Sequence, residues 1–294
     1  MGLGVRASRF ARAQAPAGPP LRVEGLRGNV LQLGGGGGNV VLLGGQAGVA
    51  MIDSGSPEHG RAVQAFVAER FGGAPVEWLF NTHWHLDHTG GNEAVARAGT
   101  RIVAHENTRL WMSTEFYVDW QSRMYEPRPP AARPTQTFYS SDPQPLELEY
   151  GGERIQYGLL REAHTDGDIY VRFLNQNVIV AGGAATVGEY PTLDYITGGQ
   201  LGGLIDATQS LVDMSDAETL IVPARGPSLR RRDLEAQHDM AVTVRDRMQR
   251  LARQGRSAKE MLVEGITREF DGRWGGDPER FVVNAYRSLW GLGP

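Results

Sequence analysis

Apolar residues along the chain fall into short runs that change period, and the changes divide it into strands and helices. Val30-Leu-Gln-Leu33 and Val40-Val-Leu-Leu43 flank the run Gly34 to Gly38, which reads as a strand, a flexible glycine turn and a second strand. Gly48-Val-Ala-Met-Ile-Asp53 is a third strand that ends in Asp53-Ser-Gly55. From His59 to Phe71 the apolar positions Val63, Phe66, Val67 and Phe71 share one helical face, and Gly72-Gly73 is the stop. Val76-Glu-Trp-Leu-Phe80 predicts a short strand, Glu93 to Ala98 a helix, and Arg101-Ile-Val-Ala104 another strand.

Between Glu126 and Pro145 the period is lost and six of the sixteen prolines gather, which predicts a long surface excursion, either a lid or a flexible loop. Leu146–Tyr150, Arg154–Tyr157, Ile169–Phe173 and Val178–Val180 restore the strand rhythm. Thr219-Leu-Ile-Val222 follows as a strand, then helical patterns over Leu234 to Ala252, Ala258 to Phe270 and Pro278 to Trp290. Strands that alternate first with each other and then with helices predict a layered α/β architecture. The two strand-rich halves, before and after the proline segment, are candidates for the two sheets of one sandwich.

Composition narrows the class without choosing a function. With 40% apolar and 22% charged residues, the 294-residue chain can build a substantial core. A net charge of −4 argues against a nucleic-acid partner. No apolar run approaches the ~18 residues of a membrane span. The absence of cysteine excludes thiolate sites, so a metal must be held by histidine and carboxylate, and it leaves the compartment open. Residues 1–20 are Ala-, Arg-, Gly- and Pro-rich without an apolar signal core and are expected to be disordered, although Ala13-Gln14-Ala15 is similar to the end of a signal peptide. Residues 21–294 are expected to form one domain with C-terminal helices.

The chemistry concentrates in Asn81-Thr-His-Trp-His-Leu-Asp-His-Thr-Gly-Gly91. His83, His85, Asp87 and His88 place three imidazoles and a carboxylate within six residues. The spacing His-x-His-x-Asp-His lets the first two histidines point the same way from an extended turn, while Asp87 and His88 face a neighbouring point. That offers nitrogen ligands to one zinc-like ion, and a carboxylate plus imidazole to a second. The bland reading is a solvated, histidine-rich turn that caps the next helix.

With this motif the chain resembles the metallo-β-lactamase-fold hydrolase superfamily, from about Leu21 to the C-terminus. The resemblance implies an αββα sandwich with the metal site at one edge between the sheets. It implies that His83 and His85 share the first metal with His164 of Glu162-Ala-His164-Thr-Asp-Gly-Asp168, and that Asp53 orients a motif histidine. Two positions depart from the family pattern. Ala181-Gly182-Gly183-Ala184 has Gly183 where the aspartate bridging both metals is expected, and Val222-Pro-Ala-Arg-Gly226 has Arg225 in place of the last histidine.

Three histidines leave a tetrahedral zinc one open position, where a bound water with a pKa near 7 can supply hydroxide. Asp87 and His88 are too few for a tight second ion, so one zinc is expected. Arg225 either grips a substrate anion or pairs with Asp87; at ~4 Å that pair is worth roughly 4 kcal/mol at an effective dielectric near 20. Asp87 in turn is either a general base for water or the partner of Arg225. Tyr190 in Gly188-Glu-Tyr-Pro191 is either a pocket wall or packing. The resemblance thus implies a mono-zinc hydrolase of lactam, lactone, ester or thioester bonds, with a catalytically impaired binding or structural protein as the alternative. The paired reversal Gly183→Asp with Arg225→His is expected to raise metal content toward two.

Overall fold

Apolar runs that read as continuous do so because both faces of their strands are covered. In the computed structural model, which describes residues 20–46, 48–96, 99–139 and 145–289, two sheets stack face to face between outer helices. The segment expected to be disordered lies outside the described residues apart from Pro20, as do Ala98 and Trp290 of two expected helices.

The first sheet runs in spatial order β1 (Arg22–Arg27), β2 (Val30–Gly36), β3 (Gly38–Gly44), β4 (Val49–Ile52), β5 (Val76–Phe80) and β6 (Arg101–His105). A separate hairpin joins β7 (Phe116–Val118) to β8 (Arg123–Tyr125), and β9 (Gln136–Phe138) pairs with β6 at the sheet's far edge. The second sheet runs β10 (Leu146–Tyr150), β11 (Glu153–Leu159), β12 (Ile169–Phe173), β13 (Val178–Gly182) and β14 (Leu220–Pro223). Helices α1 (Gly60–Arg70), α2 (Leu86–Thr89), α3 (Asn92–Val95) and α4 (Glu106–Ser113) belong to the first half of the chain. Helices α5 (Leu201–Asp213), α6 (Arg231–Ala252), α7 (Ala258–Glu264) and α8 (Pro278–Ser288) belong to the second.

Strand alternation sorts the core into three layers. Val41, Leu43, Ala50, Ile52 and Phe80 point inward, onto Tyr157, Val171, Val178, Val180 and Val222 of the facing sheet. Their chain neighbours Val40, Leu42, Val49, Met51 and Leu79 point outward and pack on Val63 and Val67 of α1. On the far side Ile179, Ala181 and Ile221 pack on Leu204 and Leu211 of α5 and on Leu234, Ala241 and Val244 of α6. These three interfaces make the αββα sandwich.

Several elements differ from the sequence expectation. The run Gly34–Gly38 is not a loose turn: both strands continue through it, Gly36 opposes Gly38, and Gly37 alone turns the chain. Helix α4 and helix α5 carry no expectation from the sequence. Leu201, Leu204, Ile205, Leu211 and Val212 do recur at helical spacing, but Gly202 and Gly203 cost ~1 kcal/mol each against helix and mask the signal. The helix expected over Ala258 to Phe270 stops at Glu264 and runs on as hydrogen-bonded turns to Trp274. Of the proline segment, residues 140–144 lie outside the described residues, and Gln136–Phe138 are strand β9 rather than loop.

Both sheets deliver their functional ends to one edge. Strands β4 and β5 are parallel, as are β13 and β14, so the segments after Ile52, Phe80, Gly182 and Pro223 emerge together. Cross-sheet bonds fix that edge: the Ile169 amide donates to the Thr82 carbonyl at 2.8 Å, and Asn39 donates through Nδ2 to the Pro223 carbonyl at 2.9 Å. Phe80 fills the inter-sheet layer edge-on to Tyr157, with ring centroids 5.1 Å apart. Phe80→Ala is therefore expected to lower unfolding stability by about 3–5 kcal/mol in a denaturant titration; a loss under about 1 kcal/mol contradicts this packing.

Candidate metal centre and cleft

The motif turn is held by buried polar bonds before any metal is considered. Asp53, just past β4, adopts a left-handed backbone (φ 58°) that a non-glycine residue takes only when its surroundings require it. Its carboxylate accepts from the Thr82 amide (2.8 Å), the Thr82 hydroxyl (2.7 Å) and His88 Nδ1 (2.7 Å). Asn92, at the start of α3, exchanges two side-chain bonds with Asn81 and accepts from the Ser54 hydroxyl at 2.7 Å. The turn is thus tied to the end of β4 on one side and to α3 on the other.

His83, His85 and His164 converge from two different sheets, with one ring nitrogen of each lying within 4.8 Å of those of the other two. Their ring centroids are 4.6–4.9 Å apart, and the planes cross at 83–88°. Each ring's second nitrogen has a partner that fixes its tautomer. The Thr82 hydroxyl proton goes to Asp53, so its oxygen accepts from His83 Nδ1 at 2.9 Å and leaves Nε2 free. His85 Nε2 donates to Asp194 Oδ2 at 2.9 Å and leaves Nδ1 free. His164 Nδ1 faces Asp168 Oδ1 at 3.4 Å and leaves Nε2 free. Asp168 also accepts from the His164 and Thr165 amides, which folds the loop that presents the ring.

Burial lowers the pKa of His83 far below its usual value, and neighbouring imidazoles add to the effect. Burial also lowers His85, against the opposing pull of Asp194. Three imidazoles that each turn one nitrogen toward the others while the second nitrogen is held by a neighbour are the donor set zinc takes, so the residues present fit the ion.

Asp87 and His88 form a different unit. His88 lies between Asp53 (2.7 Å) and the Asp87 carboxylate (3.3 Å from Nε2). Burial disfavours its charge, but the two carboxylates prevail and push it up to about 10. Burial would likewise raise Asp87, yet His88 and Arg225 hold its carboxyl well below the usual range. Arg225 Nη2 donates to Asp87 Oδ2 at 2.7 Å, while its side chain is 65% exposed. An ion pair so wet is worth ~1 kcal/mol or less, well under the 4 kcal/mol expected from Coulomb's law alone. Of the two expectations for Arg225, the pairing with Asp87 is the one the structure contains. Among the described residues, the group poised to hold an ion is the three histidines, not Asp87 with His88.

Gly183 reveals why a bridging carboxylate has no place here. A Cβ at that position would lie 2.2 Å from His164 Nδ1 and 2.5 Å from its Cγ, so the imidazole occupies the space a side chain would need. Gly38 plays the same part opposite: a Cβ there would meet His88 Cε1 at 2.6 Å. The glycine run of the first hairpin is thus part of the site, a role its composition does not announce.

The three histidines border a cleft of about 570 Å³ that Asp87, Arg225 and Gly183 also line. The β7–β8 hairpin contributes Trp120, Gln121, Arg123 and Tyr125, and α8 contributes Arg280. Among the described residues, none from Glu126 to Pro145 borders it. Tyr190 does not border it either: its ring is buried on Phe281 (5.0 Å) and its hydroxyl donates to Asp271 at 2.7 Å, so packing is its observed role.

The residue that sequence reasoning missed is Asp194. Wholly buried, it accepts from His85, from the Thr197 hydroxyl at 2.8 Å and from Trp120 Nε1 at 3.2 Å. Its amide donates to the His164 carbonyl at 2.9 Å, so one residue braces two candidate ligands. It lies 109 positions from His85, and no local spacing could join them.

A three-histidine centre on the edge of an αββα sandwich defines a class of metal-dependent hydrolase folds, and the comparisons agree. Residues 33–229 match the Metallo-beta-lactamase superfamily, and the chain belongs to that family. A 57-residue stretch is 40% identical to hydroxyacylglutathione hydrolase of Anaeromyxobacter dehalogenans (strain 2CP-C), spanning 19% of this chain and only 20% of that protein. The fold is similar to a metallo-beta-lactamase from Pontibacter korlensis, with a TM-score of 0.59, 19% identity, and 75% of this chain and 98% of that one covered. It is also similar to the stereoselective inverting sec-alkylsulfatase Pisa1 from Pseudomonas sp., with a TM-score of 0.66, 15% identity, and 92% and 50% covered. Among the described residues no helix is long and apolar enough to cross a membrane.

Two outcomes follow from this geometry. Asp194→Asn keeps the shape but weakens the acceptor for His85, and zinc affinity measured by chelator competition is expected to fall about 10–100-fold; an unchanged affinity contradicts the bracing role. Gly183→Asp, alone or with Arg225→His, must displace His164. It is expected to lower zinc retention rather than raise it toward two, and a second bound ion would show that His164 can move aside.

Proposed function

We propose that this protein is a hydrolase working with one zinc ion held by His83, His85 and His164, on a small-molecule substrate with a lactam, lactone, ester or thioester bond. The observation that carries the reading is the convergence of three buried histidines, each with one nitrogen oriented by a neighbour and the other free toward the cleft. When bound there, zinc supplies Lewis acidity and a water ionised near neutral pH.

The protein's own residues do the rest. Asp87, on the cleft wall between His88 and Arg225, accepts a hydrogen bond from the attacking water and orients it. Arg225 stands where a substrate oxygen can exchange for Asp87, because its guanidinium is exposed and its pair is weak. Asp53, Asp168 and Asp194 keep the rings in place and prevent the turn from relaxing when substrate enters. The match to a stretch of a hydroxyacylglutathione hydrolase supports a hydrolase without choosing the bond cleaved.

A second reading, a binding or structural protein that keeps the fold, is favoured by Gly183 and by the Arg225–Asp87 pair, which close the second metal position. The two readings part on His164→Ala. Loss of both zinc retention and hydrolysis of 4-nitrophenyl acetate to background is the expected result. Hydrolysis that survives this change rules out the three-histidine mechanism, and a wild-type protein that binds zinc but cleaves no ester, lactone or lactam supports the second reading.

A further inference from the structure

Three guanidinium groups line the cleft, and they are not equivalent. Arg225 pairs with Asp87 at 2.7 Å. Arg123 and Arg280 have no carboxylate within ion-pair distance among the described residues; instead each lies against an aromatic ring. Arg123 sits 4.8 Å from the Tyr125 ring centroid and Arg280 5.9 Å from that of Trp120. Both rings belong to the β7–β8 hairpin segment and line the same cleft. A guanidinium over an aromatic face is attracted to the ring and keeps its N–H groups free to donate.

The hairpin that carries this sector is anchored rather than loose. Asp119 pairs with Arg287 of α8 at 2.6 Å and accepts from the Tyr195 hydroxyl. Trp120 donates to Asp194, and Tyr125 donates to Gln121 at 2.5 Å. The cleft's own acidic groups are occupied elsewhere or stand apart. Asp87 is taken by His88 and Arg225, and Glu58 accepts from its own backbone and Ser56, with Arg123 adding only to its field. Glu189 is exposed and forms no ion pair among the described residues.

We propose that Arg123 and Arg280 bind an oxyanion group of the substrate, distant from the bond that is cleaved, while Trp120 and Tyr125 wall the apolar part between. This deepens the hydrolase reading and rests on it for the bond, but not for the anion. Both guanidinium groups lie near an aromatic ring with no carboxylate partner among the described residues, and a planar fork on each suits a carboxylate or phosphate in bidentate fashion.

The test uses zinc-loaded full-length protein and a matched pair of esters, mono-(4-nitrophenyl) glutarate and 4-nitrophenyl butyrate. The wild type is expected to prefer the charged ester. In Arg123→Gln with Arg280→Gln the ratio of kcat/KM values, charged over neutral, should fall at least about tenfold. A purely structural role would depress both esters together and leave the ratio unchanged, which overturns the proposal. Calorimetric titrations with glutarate and with methyl phosphate read binding without turnover and tell a carboxylate from a phosphate. Weaker binding of either probe in the double variant supports the anion site, and equal binding of both overturns it. If the wild type hydrolyses neither ester, the hydrolase reading fails while the titrations still decide the anion site.

Discussion

The candidate centre depends first on one buried carboxylate. Asp53 accepts three hydrogen bonds from the turn that carries the histidines, in a left-handed backbone costing about 1–3 kcal/mol that only a dense set of bonds can hold. Through Thr82 it sets the tautomer of His83, and through His88 it reaches Asp87. Remove that acceptor and the turn loses its register with β4, the Thr82 hydroxyl loses its acceptor, and His88 loses one of the two anions that stabilise its charge. The rest of the site is built outward from this point.

The three-histidine position keeps one ring nitrogen of each histidine turned toward the other two. Beside it His88, Asp87 and Arg225 stand in a row, 3.3 Å and 2.7 Å apart at their polar atoms. Gly183 belongs to the same arrangement, since the space for a bridging side chain is taken by the His164 ring. Gly183 leaves room for the imidazole, and Arg225 supplies a cation to the Asp87 carboxylate.

Much of this was legible in the residues. Continuous apolar runs gave the strands of both sheets, and His-x-His-x-Asp-His with the loop around His164 named the centre, because ligands close in sequence leave a dense local signal. What stayed hidden depends on distance along the chain. Asp194 meets His85 across 109 positions, and Arg280 meets Trp120 through packing of α8 on the hairpin. Periodicity cannot report such contacts. Glycine misled twice: Gly202 and Gly203 masked a helix, and Gly34–Gly38 looked like a turn although it is strand with Gly38 making room for His88. Tyr190 read as packing more readily than as a pocket wall, and the stacked Phe281 ring places it in the core.

The central claim is that this site holds one ion on His83, His85 and His164. Elemental mass spectrometry on protein equilibrated with excess zinc and then desalted tests it most directly. About one zinc per chain is the predicted result. Two would mean that the His88–Asp87–Arg225 row gives way to a second ion, and none would mean that the three histidines do not hold a metal.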